Sequence, residues 1–441
     1  MRLSIFTRFS RSALITLILV VLPTASQADS NLPTTLDLTL LEVPFNTGPY
    51  FPTLFSPRQS LGLSTSFYQS AHQAISDANS PRAALWWIIG FDFLAEYIPL
   101  GSSWMHEEWH RSVMLNRGIG SFNDVNTWPI GRGLISVSQV EDADLARLKR
   151  DHPADQVRLS SAGMEAQISQ NLHIEQKHFF EGQETRDGIL LWINNVNTSF
   201  YLGSCNSSEA DDLTDQQNRD DGADVRKRDF TGLDCTAWVY DLFRPDENYS
   251  VRGNHPSGVG YDRYIKHSDL SEKEQRFLDL QTKLSLLNFV DPFLFGKSKF
   301  HSDSVSWNFR LAHFLTSFGG TVDAIAFLEL DRRKFLLTIH NGMTDTRYLP
   351  GISFERIEQE LPWDGQSLSY GLTLWPQPTR QRVESPDTQT MILGKALWQK
   401  MLSKSFAVNL GLEAKNEGWV AGNVYLDRNL SAWVGIKTAL N

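Results

Sequence analysis

From about residue 301 to residue 440, apolar residues alternate with polar or small ones at a period of two. Successive side chains of a β-strand point to opposite faces of a sheet, so this period predicts strands with one apolar face. One such face is formed by Val305, Trp307, Phe309 and Leu311. The alternation therefore limits the C-terminal part of the chain to a sheet or a barrel.

Eight or nine strands of this kind are predicted. They fall at residues 304–311, 321–330, 333–341, 351–358, 368–374, 390–400, 406–413, 420–426 and 430–440. Short polar segments at 415–417 and 427–429 have hairpin length, which predicts antiparallel pairing of strands that follow one another in sequence.

One face of these strands is apolar and the other is mostly small or polar. This region resembles a bacterial outer-membrane β-barrel, in which the apolar face contacts lipid. Such barrels commonly end in an aromatic residue, whereas this chain ends Leu440-Asn441. Lys395, Arg356 and the pair Arg332-Arg333 also fit a lipid face less well. The alternative is a soluble antiparallel sheet that buries the same apolar face.

Before residue 301 the apolar residues occur in blocks or at helical spacing. These segments are 65–78, 81–99, 103–117, 158–172, 232–243 and 271–296. We therefore expect an α+β fold. A mainly helical domain, residues 29–300, would precede a β domain, residues 301–441, that is an antiparallel barrel or sheet of eight or nine strands.

The run His106-Glu107-Glu108-Trp109-His110 reads H-E-x-x-H. On a helix, residues four apart share a face, so His106 and His110 can direct two imidazoles at one metal ion. Glu107 would then lie where it can take a proton from a water molecule on that ion. The alternative is a surface helix with two solvated histidines.

This motif resembles that of the zincin metallopeptidases. The resemblance implies that zinc is the cofactor, that His106 and His110 are ligands and that Glu107 is the general base. The segment Ser160–Gln167 resembles the third-ligand helix of the gluzincins, and that likeness nominates Glu165 as the third ligand. Other candidates for that ligand are Asp124, His152, His173 and His178.

Three further carboxylates are candidates for hydrogen bonding to the ligands. Asp92 and Glu96 lie inside the apolar segment Ala83–Leu100, and Asp291 lies inside another apolar segment. A charged group in such a segment needs a partner, and orienting a metal ligand is one reason to retain it. The structural alternative is a satisfied buried carboxylate or a helix cap.

The first 28 residues have the organisation of a secretory signal peptide. Arg2, Arg8 and Arg11 precede a short apolar stretch, and Ser26-Gln27-Ala28 forms a small-x-small cleavage site. We expect export to the bacterial periplasm or outer membrane. An oxidising compartment also suits a disulfide between Cys205 and Cys235.

The net charge of −10 argues against nucleic acid as a partner. Two hypotheses for function follow. The first is an exported, membrane-associated zinc hydrolase, a metallopeptidase that acts on a peptide or a hydrophobic amide and contacts membrane lipid. The second is a non-enzymatic outer-membrane or envelope barrel in which the H-E-x-x-H motif is incidental.

Overall fold

The computed structural model describes residues 34–45, 55–130, 135–182 and 187–440. Within these residues it contains nine α-helices and a ten-stranded antiparallel sheet. The expected α+β class, with helices before a C-terminal sheet, is confirmed. The predicted signal peptide, residues 1–28, lies outside the described residues.

Local sequence explains where several helices begin. Ser56 and Gln59 form a capping box at the start of the first helix, and Ser271 and Glu274 form another at the last. The helices are α1 (Pro57–Ala78), α2 (Pro81–Ala95), α3 (Ser102–Asn116), α4 (Asp142–Asp151), α5 (Pro153–Phe180), α6 (Gly188–Cys205), α7 (Glu209–Asp221), α8 (Asp234–Phe243) and α9 (Glu272–Ser285). Helices α1, α2 and α5 begin with proline. Proline fits the first turn because a backbone N–H there has no intrahelical acceptor, so the N–H that proline lacks is not missed.

The strands pair mainly in sequence order. They are β1 (Thr35–Pro44), β2 (Phe122–Asn123), β3 (Val137–Ser138), β4 (Phe300–Ser302), β5 (Val305–Thr316), β6 (Gly319–Leu330), β7 (Arg333–Met343), β8 (Tyr348–Glu360), β9 (Gln366–Pro378), β10 (Thr388–Ser403), β11 (Phe406–Lys415) and β12 (Asn429–Ala439). The large sheet has the order β1-β12-β11-β10-β9-β8-β7-β6-β5-β4, and β2 pairs only with β3.

The large sheet differs from the prediction at three places. It gains β1, from the N-terminal region, and the short β4. The predicted strand at 420–426 is instead part of the connection between β11 and β12, although Val420 and Asn423 form an isolated bridge there. Gly422 has a φ of +83° in this connection, which is incompatible with an extended strand.

The sheet curls around α5. At one end of the strand order, Glu175 on α5 accepts a hydrogen bond of 2.5 Å from Arg310 on β5. At the other end, Glu181, the C-cap residue of α5, accepts one of 2.7 Å from Lys437 on β12. Because one helix contacts strands that are far apart in the sheet, the strands between them must bend around it.

The alternation is present, with its apolar side turned away from the helices. On β5, Trp307 and Phe309 are exposed, whereas Arg310 is completely buried against α5. A soluble sheet that buries its apolar face would have the reverse arrangement. Lys395 lies on the inner face, where its Nζ is 2.6 Å from Glu355.

No helix within the described residues combines the length and the apolar character needed to cross a membrane. The predicted disulfide between Cys205 and Cys235 is present. It joins the end of α6 to the start of α8.

Candidate metal centre

Helix α3 carries both histidines of the motif and is almost entirely buried. Trp104, Trp109 and Val113 are each at most 2% exposed, and they pack in a core with residues of α4 and α5. The motif is therefore not on a solvated surface helix. Its two imidazoles share the side of α3 that faces α5 and α8.

Asp234, the first residue of α8, meets the two histidines. Its Oδ2 atom is 3.1 Å from Nε2 of His106 and 3.3 Å from Nε2 of His110. One ligand atom from each of the three residues lies within 4.8 Å of the others. In a tetrahedral zinc site with bonds near 2.0–2.1 Å, ligand atoms are about 3.3 Å apart. The observed spacing fits such a site.

The backbone of α5 orients His110. Its Nδ1 lies 2.5 Å from the carbonyl oxygen of Leu159, which is an acceptor only, so Nδ1 carries the proton. The Nε2 atom of the neutral ring is then left with a lone pair. Metal-binding histidines are typically fixed in this way by a hydrogen bond at the other ring nitrogen.

A glycine on α5 makes room for His106. A Cβ atom at Gly163 would lie 2.1 Å from Nε2 of His106, so any larger residue would displace the ring. Gly163 thus allows α5 to approach the motif helix closely. Leu159 and Gly163 are one helical turn apart, so one face of α5 positions both imidazoles.

Asp234 is held from two sides. Cys235, the next residue, is bonded to Cys205 on α6. The backbone N–H of Asp234 donates a 2.9 Å hydrogen bond to the hydroxyl oxygen of Tyr201, also on α6. The side chain of Asp234 thus stands at the N-terminus of α8, where the helix dipole favours a negative charge.

The charges of the three residues depend on one another. Burial alone would raise the pKa of Asp234, but the charge of His110 and the hydrogen bonds from both imidazoles lower it to about 2. Burial alone would lower the pKa of His110, but Asp234 and the carbonyl of Leu159 raise it. The carboxylate is therefore ionised at neutral pH, as a metal ligand must be.

Glu107 lies beside this cluster and is only 5% exposed. Within the described residues, its carboxylate has no hydrogen-bond partner. Burial raises its pKa well above the usual value; the charge of His106 lowers it and those of Asp229, Asp234 and Asp124 raise it. A carboxylate with a raised pKa is a stronger base, and proton transfer needs one near the working pH.

Two further polar groups surround the cluster. Burial and the charge of Asp234 raise the pKa of Asp229 to about 7. Burial, and to a smaller extent the negative charge of Asp234, raise the pKa of the Tyr201 hydroxyl well above its usual value. This hydroxyl therefore keeps its proton at neutral pH. The centre of the Tyr201 ring is 6.5 Å from that of His106.

Glu165 is not among the converging groups, so Asp234 replaces it as the candidate third ligand. Its Oε1 accepts hydrogen bonds of 2.9 Å from Arg158 and 2.8 Å from the backbone N–H of Gly422. The physical reason is the helical repeat: Glu165 follows Gly163 by two residues, which turns it about 200° around α5. It therefore faces the β11–β12 connection, away from α3.

The other predicted residues occupy separate environments. Glu96 accepts a 2.9 Å hydrogen bond from Ser103 on α3, so it contacts the motif helix but none of the three residues of the cluster. Asp92 lies 2.5 Å from His72, and Asp291 accepts from the backbone N–H of Phe293 as a helix cap. These two carboxylates match the structural alternative that the sequence left open.

The rival third ligands are also elsewhere. Asp124 accepts hydrogen bonds from Ser136 and Ser138, and His178 lies 3.3 Å from Asp187. His152 joins α4 to α5, and His173 lies on α5 near the charges of Lys177 and Asp37. Within the described residues, the cluster of His106, His110 and Asp234 is the one group with metal-ligand geometry.

Asp234, Asp229 and Tyr201 were not identified from the sequence. One signal was available: Asp234 immediately precedes Cys235, whose disulfide was predicted, and it stands at the start of a predicted helix. An ionised residue fixed beside a covalent crosslink is well placed for a role that needs rigidity.

Comparison of the chain with protein-family models, with curated protein sequences and with solved structures finds no match.

Proposed function

We propose that this protein is an exported metal-dependent hydrolase with zinc bound by His106, His110 and Asp234. The observation that carries the proposal is the convergence of two imidazole Nε2 atoms on one carboxylate oxygen at 3.1 and 3.3 Å. Nitrogen and carboxylate donors in this number suit zinc, and three protein ligands leave a fourth position for water.

A zinc ion in this position would acidify a water molecule and polarise a substrate carbonyl. The chain supplies the remaining chemistry. Glu107 accepts a proton from the water and later delivers it to the leaving amine. The carbonyl of Leu159 keeps the proton of His110 on Nδ1, so Nε2 remains available throughout. The site is buried, which strengthens each of these electrostatic interactions.

The substrate class is an amide, either a peptide or a hydrophobic acyl amide. The basis for this choice is the H-E-x-x-H pattern with an adjacent carboxylate base, which serves the addition of water to an amide carbonyl. The pair His106 and His110 would be incidental in the competing hypothesis, a non-enzymatic envelope protein. The outward apolar face of the sheet would suit such an envelope protein. We would prefer that hypothesis only if the protein bound no metal.

The first experiment measures metal in protein purified without chelator. We expect one zinc per chain in the wild type and a loss of zinc in His106→Ala and Asp234→Asn. His301→Ala is the matched control, because His301 is an exposed histidine on β4, and it should keep its zinc. Wild-type protein without stoichiometric metal would leave the envelope protein as the better hypothesis.

The second experiment separates the base from the ligands. Glu107→Gln should retain zinc but lose peptide or amide hydrolysis, because the amide side chain cannot accept the proton. A library of unstructured peptides and N-acyl amino acids provides the substrates. Full activity in Glu107→Gln would exclude Glu107 as the base, whatever the metal content.

A further inference from the structure

The outer face of the large sheet is apolar on every long strand. Along β9, Tyr370, Leu372 and Leu374 point outward and are 42, 48 and 39% exposed. On the inner face of the same strand, Thr373 is buried. Other exposed outward residues are Trp307, Phe309, Leu330, Ile339, Ile352, Phe354, Ile392, Leu410, Leu412 and Val434. Patches much larger than those of ordinary soluble monomers mark an interaction surface.

Charged residues are few on this face, where Arg356 packs over the ring of Phe335. Lys395 and Lys437 point inward, where they pair with Glu355 and Glu181. Arg332 is in the turn that joins β6 to β7, and Arg356 is next to the irregularity at which β8 leaves its register with β9. The residues that fit an apolar environment poorly are therefore inside the sheet or close to one end of the strands.

Helix α1 covers the free edge of β1. Gln59 on α1 donates a 3.2 Å hydrogen bond to the carbonyl oxygen of Leu40. A Cβ atom at Gly62 would be 2.7 Å from the carbonyl oxygen of Asp37, so the helix lies directly against the strand. This contact protects an edge that would otherwise present unpaired backbone groups.

The segment between α9 and β4 covers the other edge in the same way. The backbone N–H of Leu311 on β5 donates to the carbonyl oxygen of Val290 at 3.0 Å. The backbone N–H of His313 donates to the side chain of Asn288 at 2.7 Å. Both long edges of the curled sheet are thus hydrogen-bonded to helical segments.

Helices α2 and α6 connect α1, on one edge of the sheet, to the segment between α9 and β4, on the other edge. On one side, Phe91 of α2 packs against Phe67 of α1, with ring centres 5.5 Å apart. On the other side, Trp192 of α6 donates a 2.9 Å hydrogen bond to the carbonyl oxygen of Leu294. Helices α2 and α6 also contact each other. The strands and these helices together form a closed ring around α5.

The apolar surface continues across the helical part of the ring. Trp86, Trp87 and Leu94 lie on the outer side of α2 and are 56, 64 and 72% exposed, while Ile88 and Asp92 on its inner side are buried. Next to β5, the segment 286–295 exposes Leu286, Val290 and Phe295. We define the apolar belt as these six residues together with the outward residues of the sheet.

We infer that the apolar belt contacts the hydrocarbon of a lipid bilayer, with α2 and residues 286–295 closing the gap that the ten strands leave. A second copy of the chain could cover one side of a ring-shaped surface, whereas lipid can cover all of it. Strands β5 to β12 are 10 to 16 residues long. About 9–11 tilted residues suffice to cross a bilayer core.

The hydrogen bonds along both edges of the large sheet also favour lipid as the partner of the apolar belt. A lipid environment does not tolerate an open sheet edge, because hydrocarbon offers no partner to backbone N–H and C=O groups. Helix α1 lies along the length of β1. At one end its N-cap residue, Ser56, donates a hydrogen bond to Glu42 of β1. At the other end Gln73 accepts a hydrogen bond from Thr34, the residue before β1. Helix α2 packs against the middle of α1, through Phe91 and Phe67. The exposed tryptophans of α2 therefore lie on the outer side of the ring, between its two ends.

The test uses nitroxide spin labels on the full chain reconstituted into phosphatidylcholine vesicles. Single cysteines replace Leu94 on α2, Leu372 on β9 and the exposed Asp212 on α7, and the native Cys205 and Cys235 are bonded to each other. Power saturation compares collisions with oxygen, which concentrates in lipid, and with a water-soluble nickel chelate. We expect oxygen to dominate at Leu94→Cys and Leu372→Cys and the chelate to dominate at Asp212→Cys.

Two results would overturn the inference. A label at Leu94→Cys that behaves like the one at Asp212→Cys would show that α2 faces water. Dipolar broadening at Leu94→Cys with little access for either reagent would show that a second copy covers the belt. If Leu94→Cys does not reach the circular dichroism of the wild type, Trp87→Cys tests the same surface. None of these labels touches the metal centre, so the result is independent of the proposed hydrolase.

Discussion

The backbone of Gly163 lies directly against the imidazole of His106, so that a Cβ atom there would be 2.1 Å from Nε2 and 2.2 Å from Cδ2. The two residues are far apart in the sequence. The contact couples α5 to the motif helix and makes the orientation of His106, a proposed metal ligand, depend on the absence of one methyl group.

Gly163→Ala should therefore weaken zinc binding. The added methyl group forces His106 to rotate away from Asp234, and displacement of a ligand or its support typically costs about 10- to 100-fold in affinity. Competition with a chromogenic chelator measures the change. Gly203→Ala is the matched control, because a Cβ atom at this helical glycine meets nothing within 4 Å. Equal affinities in the two variants would contradict the predicted displacement.

Glu165→Gln and Asp234→Asn should have different consequences. Loss of the Glu165 charge leaves Arg158 buried without its anionic partner, and breaking such a pair costs about 3–5 kcal/mol of stability. Its zinc content, measured in the folded protein, should be normal. Asp234→Asn should instead lose zinc. Urea unfolding and metal analysis on both variants check this, and zinc loss in Glu165→Gln at wild-type stability would return Glu165 to the ligand set.

Removal of the disulfide should affect both stability and the metal centre. In the chain-entropy account, closing a loop of the observed 30-residue separation contributes roughly 3–4 kcal/mol. In the double variant Cys205→Ser/Cys235→Ser, Asp234 also loses its covalent anchor, so zinc affinity should fall. Thermal unfolding and chelator competition measure the two effects. The same losses should follow reduction of the wild type, and a reductant should not change the double variant further.

Asp241 should make the stability of the protein sensitive to acid. Burial would raise the pKa of Asp241, but Arg252 and Lys149 lower it below its ordinary value. A lowered pKa stabilises the folded state above the unfolded pKa, near 3.9, and this contribution is lost as the pH falls through the folded value. The difference in unfolding free energy between the wild type and Asp241→Asn should thus be largest near neutral pH and shrink below about pH 4.

Urea titrations at several pH values test this prediction. Asp212→Asn is the control, since Asp212 is exposed on α7, and its stability should stay within about 0.5 kcal/mol of the wild type. A difference for Asp241→Asn that stays constant with pH would mean that the ion pairs with Arg252 and Lys149 do not determine the ionisation of Asp241.

Local sequence patterns determined which parts of the fold and of the candidate site could be predicted. The helix that carries His106 and His110 follows from the helical spacing of residues 103–117, and the strands β5 to β12 follow from alternation. Asp234 is more than a hundred residues away from the motif, so its approach depends on how α8 packs against α3 and α5. Neither spacing nor composition contains that information.

One wrong strand prediction and one strand that was not predicted illustrate the same limit. The segment Val420–Leu426 alternates like a strand, but Gly422 bends it, and Arg158 and Glu165 bind its backbone groups. Tertiary contacts there override the local pattern. Conversely, β1 is separated from the other strands by the whole helical region. Its membership in the sheet is decided by pairing with β12, which local sequence does not reveal.

The pairing of Thr35 with Ala439 and of Pro44 with Ser431 sets the order in which this fold can be completed. During synthesis β1 leaves the ribosome first among the described strands, and its partner leaves last. The ring can close only after the intervening helices have been made, so β1 has no strand partner until β12 has been synthesised. Such distant pairing slows folding. The residue pairs between β1 and β12 are therefore the last contacts of the sheet that can form.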